Sequence, residues 1–209
     1  MKRLLLFAMV CASISFVSAQ KKFDKVSKVT SSEIRWWGYK VVKTQASSHS
    51  GTVKLKSGKF NFDHTVLVDG EFIIDMRSMM AGDVSDEDQI KLTNDLKSTN
   101  FFEVKKFPVA KFHLTKIIPL ANSEYNSTVY GDLTLKGVRK TISFPANVYV
   151  TQFTTSIESA KFSLNRRDFK VFYQSSLKDY FIKNEMDIQF KVSTELLDNE
   201  NRIPVKKKK

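Results

Sequence analysis

Apolar and polar residues alternate with period two along most of this chain, most cleanly between Val129 and Ala146. Gly131, Leu133 and Leu135 fall on one face, with Tyr130, Asp132, Thr134 and Lys136 on the other. After a short turn containing Gly137, Ile142, Phe144 and Ala146 oppose Ser143 and Asn147. Two such runs joined by a turn predict a β-hairpin with one buried face. Its register is fixed, because a slip of one residue would turn every apolar side chain into water.

The same alternation recurs before and after the hairpin. Ile34 and Trp36 mark a first long strand, Val53 and Leu55 a second. Ser57-Gly58 gives a turn signal, Phe60 and Phe62 resume the pattern with Val66 and Val68, and Asp69-Gly70 predicts a hairpin turn. Phe72, Ile74 and Met76 form the next inward face, and Ala110, Phe112 and Leu114 another. After Tyr149–Thr155 come Ala160, Phe162 and Leu164, a short helical turn over Leu177–Ile182, and a last strand through Met186, Ile188, Phe190 and Val192. Gln20–Lys28 is polar and reads as a flexible lead-in. One stretch breaks the pattern. At about residues 86–98, Ser85 or Asp86 can cap a helix, acidic residues crowd its first turn, and Leu92 and Leu96 share a face. The sum is an all-β chain of about eight antiparallel strands with one short α-helix, and closing the sheet into a barrel removes its edges.

The ends do not share the pattern. Residues 1–19 combine Lys2 and Arg3, an apolar run from Leu4 to Val17, and small residues through Ala19, which predicts a signal peptide and a periplasmic or secreted protein beginning at Gln20. Residues 20–198 then form a single domain, and 199–209 a basic tail ending in four lysines. Cys11, the one cysteine, lies in the leader, so the mature chain has neither disulfides nor thiol catalysis. The net charge of +12 is spread along the chain. It excludes a clustered nucleic-acid groove but allows a transient contact with a membrane surface.

Chemistry-bearing motifs are few. The histidines His49, His64 and His113 lack metal-ligand spacing, and no phosphate loop, nucleophile elbow or zinc-protease motif occurs. Asn126-Ser127-Thr128 has the letters of a glycosylation sequon. His49 is either a hydrogen-bonded structural residue or a polar contact to a ligand head group. Arg166, beside Asp168, is either a structural bridge at the barrel rim or a head-group contact. The 17 Phe, six Tyr and two Trp are a heavy aromatic load. Either they pack a solid core, or they line a lumen that takes an acyl or prenyl chain, with each buried CH₂ contributing about 0.8 kcal/mol.

Resemblance separates these readings. Asp75-Met76 with Ser78, the run Leu96-Lys97-Ser98-x-Asn100-Phe101-Phe102-x-Val104-x-x-Phe107-Pro108-x-Ala110-x-Phe112, and Gly131 through Gly137 closely resemble the YceI-like family. So do His49-x-Gly51 and Phe162-x-Leu164-Asn165-Arg166. The likeness runs in order from about Thr30 to Leu197. The chain departs from the family pattern at Asp95, Asn165, Arg167 and Lys170. The resemblance implies a lipocalin-like barrel around a long apolar cavity, exported in bacteria. It implies no covalent cofactor and a bound polyisoprenoid, isoprenoid quinone or similar long-chain amphiphile. The expected pocket comprises Trp36, Phe72, Ile74, Met76, Phe102, Phe112, Leu114, Leu133, Phe144, Phe162 and Tyr173, with His49 and Arg166 as polar members. The expected protein is a monomeric or homodimeric lipid carrier without catalysis. Its rivals are an enzyme acting on a quinone or lipid, and a solid-core barrel used for surface interaction.

Overall fold

The computed structural model describes residues 23–42, 45–173 and 180–194; the expected signal peptide and basic tail lie outside this range, as does half of the helical turn expected before the last strand. The strands are β1 (Lys25–Lys28), β2 (Ser31–Val42), β3 (Gln45–Asp63), β4 (Val66–Ala81), β5 (Val109–Pro119), β6 (Ser127–Leu135), β7 (Val138–Val150), β8 (Thr155–Ser159), β9 (Phe162–Asn165) and β10 (Tyr180–Thr194). The helix α1 (Asp86–Lys97) follows β4, and a 3₁₀ turn, Arg166–Phe169, follows β9.

All pairings are antiparallel, and the order β3-β2-β10-β8-β7-β6-β5-β4 closes on itself through β3–β4. This is an eight-stranded barrel of the lipocalin-like kind. Two of its staves are broken. β1 and β2 both lie against β3 and form one stave kinked at Val29-Thr30. β8 and β9 both pair with β10 and form another, kinked at Ala160-Lys161. β7 pairs with β8 only from Ala146 to Val150. Among the described residues no ladder joins the first half of β7 to β9. There the wall is held instead by the stacked rings of Phe144 and Phe162, 4.5 Å apart, and by the 3₁₀ turn packed on β7.

The central hairpin forms in the register that its alternation requires, Leu135 opposite Val138 and Gly131 opposite Ile142. Its two-residue turn has positive φ at Lys136 (48°) and Gly137 (74°), the primed geometry that suits twisted strands. α1 starts after Ser85, carries Asp86, Glu87 and Asp88 in its first turn, and buries Leu96. It is fastened across the end of β4, where the Gln89 side-chain amide donates to Ala81 O and Ala81 N–H donates to Thr93 Oγ1.

Several local readings change. The hairpin turn between β3 and β4 is His64-Thr65, with His64 at φ 56°, while Asp69-Gly70 lies inside β4. The residues there serve other ends. The Asp69 carboxylate accepts from Asn61 Nδ2 at 2.5 Å and meets His113 Nε2 at 2.6 Å, and a Cβ on Gly70 would stand 3.0 Å from the Phe72 ring. A register shift between Asn61 and Phe62 then buries Leu67 and leaves Val66 61% exposed. Ser57-Gly58 likewise lies within β3, paired with Ile73 and Phe72 just after a bulge at Lys56, and is not a turn. The lead-in includes a strand, β1, and Tyr180–Ile182 begin β10 and not a helix. Asn126 is unsuited to glycosylation, since its amide donates to Val148 O at 3.0 Å and accepts from Val148 N–H at 2.9 Å, extending the β6–β7 ladder.

Candidate ligand-binding site

The barrel interior divides in two. Toward the His64-Thr65 end, Phe60, Leu114, Val129 and Ala146 are fully buried, and Phe62, Phe144, Ile157 and Val192 are at most 3% exposed. This half is a solid floor. Toward the end bearing α1, inward side chains of the same faces are only half buried: Phe112, Leu133, Ile142, Phe162, Ile188 and Phe190. Inside a closed wall, a ring can be half bare only where the space before it is unfilled.

That space is a cavity of about 160 Å³. Its walls contain Trp36, Phe72, Ile74, Met76, Phe102, Phe112, Leu133, Phe144 and Phe162, all singled out by alternation or resemblance. They also contain Leu55, Met79, Leu96, Leu164, Met186, Ile188 and Phe190, which were not among the expected pocket members. Most of the latter sit on strands whose inward face the alternation gives; Leu96 projects from α1, with its spacing to Leu92 as the signal. Every lining residue is apolar, and none carries a carboxylate, imidazole, hydroxyl or amine. The Trp36 indole N–H donates to Thr52 O at 3.3 Å, so its polar edge is engaged in the wall.

Two glycines hold the lumen open. A Cβ on Gly131 would lie 2.3 Å from Phe112 Cζ, and one on Gly51 would lie 2.6 Å from Trp36 Cζ2 and 2.0 Å from Met80 O. Both rings therefore lie flat on the neighbouring strand and not across the barrel. A belt of Phe rings continues around the wall. Phe72 and Phe112 are 6.1 Å apart, Phe112 and Phe144 5.7 Å, and Phe144 meets Phe190 edge-on at 5.3 Å.

The fold has counterparts among known proteins. A model of the YceI-like domain matches residues 22–194. This chain belongs to the YceI-like family. A UPF0312 protein of Shewanella denitrificans is 31% identical over 90 residues, spanning 43% of this chain and 44% of that protein, so the chain matches less than half the length of this relative. BcnA of Burkholderia cenocepacia shares the fold at 21% identity and a TM-score of 0.57, over 78% of this chain and 96% of that one. A polyisoprenoid-binding domain from Saccharophagus degradans does so at 14% identity and a TM-score of 0.53, over 82% and 99%.

Four expected pocket members of this YceI-like protein lie elsewhere. Leu114 is on the expected face but is 0% exposed in the floor, below the cavity. Tyr173 follows the 3₁₀ turn and stacks on Phe101 at 4.6 Å, outside the lining. His49 stands at the start of β3 opposite Gly38, with its Nδ1 3.5 Å from Asp83 Oδ1, too long for a good hydrogen bond. Arg166 is 8% exposed, and its guanidinium is consumed by backbone: Nη1 donates to Val171 O at 2.6 Å, Nε to Lys183 O at 3.0 Å and Nη2 to Ile182 O at 3.3 Å. It ties the segment after the 3₁₀ turn to the start of β10 and is not among the residues that line the cavity.

The cavity is roofed by Leu96 and Phe102, on α1 and the loop 98–108 that follows it. A second latch holds that loop. Lys136, in the hairpin turn, donates to Phe101 O at 2.6 Å and pairs with Glu103 at 2.9 Å. The Lys136 hydrogen bond holds the Glu103 carboxyl below the ordinary glutamate range. A group so depressed stabilises the fold above its unfolded pKa, and the contribution is lost as pH falls through its folded pKa. Glu103→Gln is therefore expected to melt below the parent at neutral pH. The two melting curves should converge on acidification below the ordinary glutamate range. A gap that persists unchanged into acid would rule out the ion pair as its cause.

Proposed function

We propose that this protein is an exported, non-catalytic carrier that shelters the apolar tail of a long-chain isoprenoid, such as a polyisoprenoid or isoprenoid quinone, or a similar amphiphile. One observation carries this reading: a cavity lined, among the described residues, by apolar side chains alone lies behind half-buried rings in a closed barrel. Such a lumen binds by removing apolar area from water and offers nothing to a polar substrate. The leader-like residues 1–19 support export. A carrier also fits the domain from Saccharophagus degradans described as polyisoprenoid-binding, whose fold this chain shares.

The magnitude defines how the tail sits. About 160 Å³ is close to the ~150 Å³ of an engineered cavity that takes up benzene. As it stands, the lumen receives the leading segment of a chain, and a longer insertion needs the half-buried Phe112, Phe162 and Phe190 rings to turn aside. The head group then stays at the roofed end, near the loop 98–108. Chemistry on the tail would need a base or nucleophile among the lining residues, and they supply neither, which favours carriage over catalysis.

Organic extraction of the protein purified from its native host, followed by mass spectrometry, tests the reading. The expected result is a near-stoichiometric prenyl- or acyl-chain lipid. Extracts without lipid, combined with failure of the delipidated protein to take up a prenyl quinone, would overturn it.

A further inference from the structure

Among the described residues, the end of the barrel that bears α1 exposes Met80, Ile90 and two aromatic rings, Phe172 and Phe181. Phe172 is 56% exposed and Phe181 63% exposed. They are distant in sequence but close in space, because Arg166 binds the carbonyls of Val171 and Ile182, the immediate neighbours of each. At both places the neighbour turns inward, Val171 at 0% exposure and Ile182 packed on the core, while the Phe turns out. The same clamp thus ties together the two backbone segments that carry these outward rings.

Cations surround the pair. The Arg167 guanidinium lies 5.8 Å from the Phe172 ring centre; Lys170, two residues before Phe172, and Lys183, two after Phe181, are exposed, with Lys183 Nζ 5.9 Å from the Tyr39 ring. Lys105 and Lys106 are exposed on the loop whose Phe101 stacks on Tyr173, the residue after Phe172. Among the described residues, the acidic groups of this neighbourhood are Asp168, Glu185 and Glu103, the last paired with Lys136, against Lys105, Lys106, Arg167, Lys170 and Lys183, so the balance is positive. Lys170 also holds a left-handed backbone, φ 57°, where a glycine would sit with less strain, so a cationic side chain occupies a position whose backbone disfavours it.

We propose that this surface docks the protein on an anionic lipid bilayer, with Phe172 and Phe181 inserted at the headgroup level and Arg167, Lys170 and Lys183 on lipid phosphates. Exposed aromatic rings within a cationic border match an interface that is anionic outside and apolar beneath. The proposal rests on the carrier reading for its purpose, because it sets the roofed end of the cavity against the membrane. The contact itself is measurable without that reading.

The test is co-sedimentation of the full mature chain with vesicles of phosphatidylcholine alone and of an equimolar mixture with phosphatidylglycerol. The parent is expected to bind the mixed vesicles, weakly or not at all the neutral ones, and less as salt rises. The double variant F172S/F181S is expected to lose about tenfold or more of its partitioning, as removal of two inserted rings requires. R167E/K170E/K183E should lose the preference for the anionic vesicles, and deletion of Lys206–Lys209 should change little. Phe172, Phe181, Arg167, Lys170 and Lys183 are not among the residues that line the cavity, so lipid recovered by extraction should equal the parent's in both substitution variants. Undiminished binding by F172S/F181S, equal binding to both vesicle types, or binding abolished by the tail deletion alone would each overturn the proposal. Extracts empty of lipid with vesicle binding intact would instead sink the carrier reading and leave the docking surface standing.

Discussion

Leu133→Trp is expected to lower the lipid recovered per mole of protein by between ten- and a hundredfold while moving the denaturation midpoint of the lipid-free protein little. Leu133 sits on β6, points into the cavity and is only half buried although the barrel encloses it. The indole would enter space that is unfilled in the free protein and that the tail must occupy. Excluding about three methylenes from a cavity of about 160 Å³ removes roughly 2–3 kcal/mol of binding at about 0.8 kcal/mol each, and each 1.4 kcal/mol is a factor of ten. A filled core gives the opposite pattern. There the added volume overpacks, costs about 1–3 kcal/mol of stability, and leaves no lipid effect to measure. Leu114→Trp, in the fully buried floor, is the internal control and should destabilise in just that way. Equal behaviour of the two variants would mean that the barrel is not hollow at Leu133.

The contrast between Leu133 and Leu114 also marks how far the sequence is legible. Both lie on alternating strands, and period two assigns both to the inward face correctly. Alternation reports which face a side chain occupies but not its depth along the barrel axis, so it could not separate the hollow half from the floor. Depth depends on the stagger between neighbouring strands, and here that is set by bulges such as the one between Leu114 and Lys116. Asp69-Gly70 shows another limit. A dipeptide that favours a turn in isolation was held in a strand by tertiary partners, with Asn61 and His113 on its carboxylate and the Phe72 ring over its glycine. β1 escaped notice because a short polar strand on the β3 edge carries little periodic signal. Tyr173 and Arg166 follow or lie in the 3₁₀ turn, where period two makes no statement about direction. By contrast, Gly131 and Gly51 stand in strands where glycine is ordinarily unfavourable, and that is a signal of close approach by another group, here the Phe112 and Trp36 rings.

Arg166→Met is expected to cost about 3–5 kcal/mol, the largest stability loss at any polar position discussed. It would leave the carbonyls of Val171, Ile182 and Lys183 without their donor in a region where Arg166 itself is 8% exposed. A charge-assisted hydrogen bond contributes about 1.5–3 kcal/mol, and a buried acceptor left unmade costs about 1–3 kcal/mol, with water recovering part of the three. For a chain of this length that corresponds to a fall in melting temperature of roughly 10 °C. Burial also lowers the pKa of the guanidinium, which nevertheless remains charged, so the loss should not depend on pH in the neutral range. Arg166→Lys should recover only a minor part, because a single ammonium on a flexible stem cannot span three carbonyls held by a planar fork. The measurement that separates structure from ligand contact is lipid content per folded molecule, taken below the variant's melting range. Arg166 is not among the residues that line the cavity, so the folded fraction of Arg166→Met should retain the parent's lipid. A variant that keeps the parent's melting temperature but loses its lipid would return Arg166 to the head group and remove it from the clamp.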